Sequence, residues 1–549
     1  MPVTPFHLLG SVSYATAGFG GKLVADWVSN FASVRGIFRR DPRQDADWDA
    51  TLREIDAHSY PRHALAEALV RALNENAAPP EALANARSFL QSKTVAIVTG
   101  QQAGLLGGPL FSLYKALTAV RLARSLSIRF PDRAFVPVFW VASDDHDFAE
   151  VNHTVFLTPE GKTQTLQVEA PAESMGASVG DISLHAAIER LRAPLEAVLS
   201  STVDSFLEPY RTANMGQAFA RLLTHWLGSL GLVVVESTEF RRLATRLVQR
   251  ELNEFSTTSA LLRESGAALQ QAGYPAGLEE SKTAPHLFID AGGIRAKLDS
   301  VDADGKVFLE RSSAFVTRGM TPAAHTRDFL LLKAETHPRS FSCSAALRPV
   351  LQDLTIPVAG TVLGPGELAY WAQLAPLHDH FGAVWPVIVP RASITLLDAS
   401  GEKSLRKLAL DPQDIFLPHS ALKTKALGPA VLNPDVQVGR EQILEAFERM
   451  YQHVRAADQG LDPLFRKARE RITHELARIA EKTLANAAER GVAGQTRLDL
   501  LMALVHPLGK PQERMLCVGQ FVARFPDIAS RLLETLDPFV FEHRVYKVE

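Results

Sequence analysis

The sequence is poor in cysteine, in charge of one sign and in long apolar runs. Only Cys343 and Cys517 occur in 549 residues. Two cysteines cannot build a disulfide framework, so a reducing, cytoplasmic setting is expected, with each cysteine read as a small buried hydrophobe. A formal net charge of −3 gives no electrostatic ground for a nucleic-acid partner. No run reaches the roughly 18 apolar residues a membrane helix requires, and the opening Met-Pro-Val-Thr-Pro-Phe-His lacks the charged and then apolar pattern of a signal region. Two nucleotide fingerprints are also missing: no Gly-Lys-Ser/Thr closes a P-loop, and no Gly-x-Gly-x-x-Gly follows a strand. The expectation is a cytoplasmic protein with neither a nucleic-acid nor a membrane partner.

What remains is an ordinary globular composition, 46% apolar and 22% charged, in a chain long enough for about three or four structural units. Its centre is the stretch from Val95 to Lys115. Val95–Val98 is a β-branched run, Gly100 to Gly108 a glycine-rich turn, and Pro109 stands where a helix should begin. Leu110, Leu113, Leu117 and Val120 then recur at helical spacing. Strand, glycine loop and helix in that order present backbone N–H groups to a small polar or anionic ligand. The alternative is a glycine-rich turn that only packs tightly.

Phe135–Ala142 reads as a second strand covered on both faces, parallel to the first if the intervening helix is the crossover. It ends in the densest ionisable cluster of the chain, Asp144, Asp145, His146, Asp147, Glu150 and His153, with Asn152 inside it. Such a cluster can hold a divalent metal, orient a general base or receive an ammonium group, and Asp147 and Glu150 could share a helix face. It can equally be a solvated helix entry with a capping aspartate. Leu232–Glu236, Ile356–Leu363 and Val387–Val389 read as further core strands. Gly364-Pro-Gly366 opens a helix that would aim Glu367 and Tyr370 at the crevice holding Lys115, while Arg348 and Arg391 flank core strands and could grip carboxylates or phosphates. Each arginine alone is as well explained by a structural ion pair.

Two departures interrupt this α/β pattern. Residues 153–170 read as a hairpin followed by helices over Leu184–Leu199 and Gly216–Leu230, and the stretch from Glu239 to about Lys333 carries a helix and three strands. Near 436–490 the sequence turns heptad-like: Ile443, Phe447, Met450 and Val454, then Ile472, Leu476, Ile479 and Thr483, separated by Gly460 and Pro463. An antiparallel hairpin results, needing a partner to cover its seam or else packing on its own chain. The organisation expected is a helical start (1–94), core (95–155), first insertion (156–230), a core strand (231–238), second insertion (239–340), core (341–400), linker (401–435), hairpin (436–490) and helical tail (491–549).

Three motifs make this arrangement familiar. Val98-Thr-Gly-Gln-Gln-Ala-Gly-Leu-Leu-Gly-Gly-Pro-Leu-Phe-Ser-Leu-Tyr-Lys-Ala116, the Pro137-to-His153 stretch and Gly364-Pro-Gly-Glu-Leu-Ala-Tyr-Trp-Ala-Gln-Leu374 resemble the BshC family of bacillithiol biosynthesis, over nearly the whole chain. The resemblance implies an α/β, Rossmann-like core related to nucleotidyltransferases and class I aminoacyl-tRNA synthetases, with connecting-peptide insertions and a coiled coil that makes a homodimer. It implies a ligase that joins the carboxyl group of cysteine to the amino group of glucosaminyl malate, the two small-molecule partners. Where synthetases carry His-x-Gly-His the loop here has glutamines and glycines, and no Lys-Met-Ser-Lys-Ser loop occurs. No cofactor is assigned; ATP or another nucleotide would activate the carboxylate. On this reading Asp145, His146, Asp147 and Lys115 are catalytic candidates. Gly100, Gln101, Gln102, Gly107, Gly108, Asn152, Arg348, Gly364, Glu367, Tyr370 and Arg391 are substrate-binding candidates, and none is assigned to a metal. A metal-dependent hydrolase built on Asp144–His153 and a non-catalytic coiled-coil scaffold are the rival readings.

Overall fold

The computed structural model describes residues 4–278, 284–302, 304–427, 434–488 and 492–548. They form two compact units: one made of the residues up to His7, Val12–Thr395 and Leu508–Arg544, the other of Leu8–Ser11, Leu396–Pro507 and Val545 onward.

The β-branched run becomes strand β1 (Thr94–Gln101), in which Val95 to Val98 are wholly buried. It pairs in parallel with β2 (Ala134–Val141), Thr94 opposite Ala134 and Gln101 opposite Val141. Next to β2 lies β3 (Val233–Glu236), and on the other side of β1 come β4 (Val358–Leu363) and β5 (Val387–Pro390), all parallel. The order is therefore β3-β2-β1-β4-β5, a doubly wound sheet whose direction of winding reverses between β1 and β4. Ligands bind outside the carboxyl ends of such strands at that reversal.

Helix α1 (Phe111–Arg129) connects β1 to β2 and is buried at every position from Ser112 to Val120. It starts later than its sequence suggests. Pro109 is not its first residue: the Leu110 N–H donates to the Leu516 carbonyl at 2.9 Å and Pro109 forms a bridge with Cys517. The chain stays tied to the C-terminal segment for two residues before it coils. The loop ahead is compact: Leu106, Gly107 and Gly108 all have positive φ.

The first insertion opens with the expected hairpin, His153–Leu157 against Thr163–Gln167. Its Leu184–Leu199 segment is helical only from Ile188, with a 3-10 turn and then Arg192–Leu199, because Pro194 has no N–H to extend a longer helix. The second insertion carries the expected helix, Thr245–Gln271, and a five-stranded antiparallel sheet in the order Ala324–Thr326, Val307–Arg311, Arg295–Ser300, Leu287–Asp290 and Phe341–Cys343, so it runs three residues past the expected boundary at 340. Its two outer strands were not anticipated, since three residues carry no readable period.

The second unit has a leucine core of Leu397, Leu405, Leu408, Leu410, Leu422, Leu498 and Leu501 with Ile415, Val505 and Val545. From it comes the hairpin of Pro434–Ala457 and Asp462–Ala488, where the Phe465 ring packs at a tilt against Phe447 and Tyr451. The heptad positions divide: Phe447, Val454, Ile472 and Leu476 are partly covered, whereas Ile443, Met450 and Ile479 stay about half exposed. The Thr483 side chain lies outside the described residues.

Candidate active site

A cavity of about 690 Å³ opens at the sheet reversal. Its walls come from the ends of three strands and from the second insertion: Gly100–Gln102 after β1, Trp140 and Asp144–His146 after β2, Gly364–Glu367 after β4, and Phe288, Arg295 and Cys343. Gly100 is required there because a Cβ would sit 2.7 Å from the Trp140 carbonyl oxygen.

Lys115 projects from α1 with only 2% of its surface exposed. Its Nζ donates to the Gly100 carbonyl at 2.7 Å and to Gln101 Oε1 at 2.9 Å, and it pairs with Glu367. Burial lowers the lysine pKa, and the Glu367 carboxylate opposes that shift. Glu367 in turn accepts the Gly364 N–H at 2.7 Å, capping helix α3 (Pro365–Trp371), which follows helix α2 (Arg348–Thr355) in the chain. One ion pair thus links the β1 and β4 ends of the cavity.

The acidic cluster divides its work. Asp145 accepts Gln102 Nε2 at 2.6 Å and the backbone N–H groups of His146 and Asp147. Burial opposes its ionisation, but these hydrogen bonds outweigh burial and hold its pKa below the ordinary value. Gln102 also donates to Glu150 at 2.9 Å, so one amide nitrogen bridges two carboxylates. Asp144 is taken up by Arg241. His146 is held by Arg295, whose Nη1 donates to Nδ1 at 3.0 Å. A guanidinium can only donate, so this ring nitrogen is an acceptor and Nε2 carries the hydrogen. Burial and then Arg295 lower the His146 pKa.

The cavity cations fall into two groups. Lys115 faces Glu367, and Arg391 is locked to buried Glu513 at 2.6 and 3.0 Å. Arg295, Arg348 and Arg514 have no carboxylate partner among the described residues. Arg295 donates to the Cys343 carbonyl and Ser342 Oγ with its guanidinium 3.6 Å from the Phe288 ring centroid. Arg348 donates to Tyr370 Oη at 3.1 Å and Gln352 Oε1 at 3.3 Å. Burial raises the Tyr370 pKa, so this acceptor is a neutral phenol.

Most of the candidate residues converge here: Gly100, Gln101, Gln102, Lys115, Asp145, His146, Arg348, Gly364, Glu367, Tyr370 and Arg391 all line the cavity. Four do not. Gly107 and Gly108 supply positive φ, and a Cβ on Gly107 would strike the Trp226 ring at 2.6 Å, so these glycines serve packing. Asp147 caps the short helix Phe148–Val151 by accepting the Glu150 N–H, which also takes it out of a shared face with Glu150. Asn152 ends that helix, buried, against His153. Arg391 lines the wall, yet both its outer nitrogens are spent on Glu513. No three His, Cys, Asp or Glu side chains converge as metal ligands among the described residues. Arg295 and Phe288 went unnoticed in the sequence, because nothing within their own strands marks them; only the fold of the insertion brings them to the cavity.

A doubly wound parallel sheet with a charged cavity at its reversal point defines a Rossmann-like core with a place for small polar ligands. Residues 10–392 match the family described as bacillithiol biosynthesis BshC, N-terminal Rossmann-like domain, and residues 394–548 its C-terminal coiled-coil domain. The chain belongs to the bacillithiol biosynthesis BshC family. It is 29% identical over 537 residues to a Koribacter versatilis protein named "Putative cysteine ligase BshC", covering 96% of this chain and 97% of that one. A Chlorobaculum tepidum protein of the same name is 29% identical over 552 residues, with 95% of each covered, and one from Bacillus cereus (strain G9842) 25% identical over 553, with 96% and 98% covered. A Thermus thermophilus arginyl-tRNA synthetase structure aligns over 80% of each chain at 14% identity and a TM-score of 0.17, a likeness too slight to carry an argument. No helix among the described residues is long and apolar enough to cross a membrane.

Proposed function

We propose that this protein is the carbon–nitrogen ligase that joins the carboxyl group of cysteine to the amino group of glucosaminyl malate, the last step of bacillithiol formation. The observation that carries the reading is that one cavity holds both a pair of carboxylates bridged by an amide and guanidinium groups without an ion-pair partner. Asp145 and Glu150 share the Gln102 amide, while Arg295, Arg348 and Arg514 have no ion-pair carboxylate among the described residues. Cysteine brings an ammonium group and the acceptor brings two malate carboxylates, so the cavity offers a counter-charge to each substrate. Asp145, kept ionised by its hydrogen bonds, holds the cysteine ammonium, with Gln102 yielding its place between the carboxylates. The Lys115–Glu367 pair fixes the distance between the loop after β1 and the helix after β4. Amide formation from a free carboxylate in water runs uphill, so ATP or another nucleotide would activate the cysteine carboxylate. The neutral amine would then form the C–N bond as the bond from the acyl carbon to the phosphate-bearing oxygen breaks, the phosphate-bearing group leaving and the nitrogen giving up a proton.

The half-exposed Ile443, Met450 and Ile479 stripe of the helical hairpin supports a homodimer through that element. Two buried, unpaired cysteines fit a cytoplasmic setting.

The test is reconstitution: purified protein, cysteine, glucosaminyl malate and ATP, with the thiol product followed by mass spectrometry. Wild type is expected to form bacillithiol, and Asp145→Asn to raise the KM for cysteine by at least about tenfold, as loss of a charge-assisted contact implies. Unchanged kinetics in a folded Asp145→Asn protein would remove Asp145 from the site.

A further inference from the structure

Arg348 is a cavity guanidinium fixed by a buried chain of polar side chains that sets no unneutralised carboxylate against it. Its Nη1 donates to Gln352 Oε1, one helical turn along α2, and the Gln352 Nε2 donates to Asp353 Oδ1 at 2.9 Å. The other oxygen of Asp353 lies 2.9 Å from His378 Nε2, and His378 Nδ1 lies 3.0 Å from the Leu374 carbonyl. Gln352 and Asp353 are each 1% exposed, and His378 is fully buried among Trp371 and Trp385.

The protons of this chain can be placed. A carbonyl only accepts, so His378 Nδ1 carries hydrogen. The contact between Nε2 and Asp353 then needs one proton more, on either side, so the pair is neutral as a whole. Because Asp353 only accepts from the amide, Gln352 is turned with its NH₂ inward and its carbonyl toward Arg348. Arg348 therefore meets two neutral acceptors, the Gln352 carbonyl and the Tyr370 hydroxyl, and no carboxylate among the described residues. Asp353, the carboxylate behind Gln352, is paired with His378, and Glu367 is paired with Lys115. A guanidinium gripped this way is rigid and still carries its full charge into the cavity.

We propose that Gln352, Asp353 and His378 are positioning residues that keep Arg348 uncommitted for a malate carboxylate of the acceptor, which makes Arg348 the residue that selects the malate-bearing amino sugar over the bare one. This rests on the ligase reading above.

The decisive variant is Gln352→Glu, which puts a carboxylate where the amide oxygen sits and lets Arg348 neutralise itself. The KM for glucosaminyl malate is expected to rise tenfold or more, with the KM for cysteine and kcat unmoved, and the preference over glucosamine to shrink by the same factor. In an Arg348→Ala background the same change is expected to add nothing, which a merely structural role of Gln352 would not produce. A Gln352→Glu enzyme whose acceptor KM stays within twofold of wild type, or whose two KM values rise together, overturns the inference. If Gln352→Glu does not fold, Arg348→Lys serves: the fork is lost, so the acceptor KM alone must rise, and an unchanged value overturns it. Wild-type protein that forms no thiol product from glucosaminyl malate refutes the ligase reading itself, a result separate from any variant's.

Discussion

Neutralising Glu367 should destabilise the protein through Lys115. Glu367→Gln keeps the shape and an oxygen for the Gly364 N–H, so the helix cap survives while the charge opposite Lys115 disappears. Lys115 is 2% exposed and keeps its bonds to the Gly100 carbonyl and Gln101, neither of which is charged. Breaking a buried pair by removing one partner costs about 3–5 kcal/mol. With Glu367 itself 23% exposed, the lower end applies, about 3 kcal/mol. Adding Lys115→Met should recover most of the loss, because the stranded charge goes too. The pH dependence has a definite sign. Burial already lowers the Lys115 pKa, and without Glu367 nothing opposes it. A lysine depressed in the folded state is destabilising while protonated, so the deficit shrinks as pH rises from 7 to 9. Urea unfolding followed by circular dichroism at both pH values measures this. A Glu367→Gln protein within about 0.5 kcal/mol of wild type at pH 7, far below the buried-pair range, or one whose deficit grows toward pH 9, refutes the reasoning.

Glu236, at the end of β3, is pushed up from 4.5 to about 7 by burial, with Asp181, Glu239 and Asp144 adding repulsion and a Ser143 hydrogen bond opposing them. The folded state then holds a proton the unfolded chain has lost, so stability falls between pH 4.5 and about 7. The full effect is ~3 kcal/mol, and Glu236→Gln should abolish this slope in pH-dependent melting; an unchanged slope places the titration elsewhere. In the hairpin, Ile443→Glu with Ile479→Glu should convert a dimer to a monomer in analytical ultracentrifugation without lowering helix content; an unchanged mass removes that stripe from the interface.

The core was legible because its strands are covered on both faces. Val95–Val98, Phe135–Ala142, Leu232–Glu236, Ile356–Leu363 and Val387–Val389 are near-continuous apolar runs, and each became part of the parallel sheet. Their order was not legible, since the reversal between β1 and β4 is decided by packing alone. At the site, residues just past strand ends, such as Gln102, Asp145 and Glu367, were readable because an α/β sheet has one place for polar groups there. Gly107, Gly108 and Asp147 lie outside the cavity lining for a local reason: positive φ and helix capping call for the same residue types as ligand binding. The ion pair of Arg391 was not legible because its partner Glu513 is 122 residues away, and Arg295 stayed hidden in an insertion strand without a distinguishing period.

The most direct test of the ligase reading is the thiol content of the source organism, measured by mass spectrometry with this gene intact, deleted, and restored as wild type or as Asp145→Asn. The prediction is loss of bacillithiol and accumulation of glucosaminyl malate on deletion, reversed by the wild-type gene and not by the variant. Bacillithiol that persists unchanged in the deletion strain would contradict it.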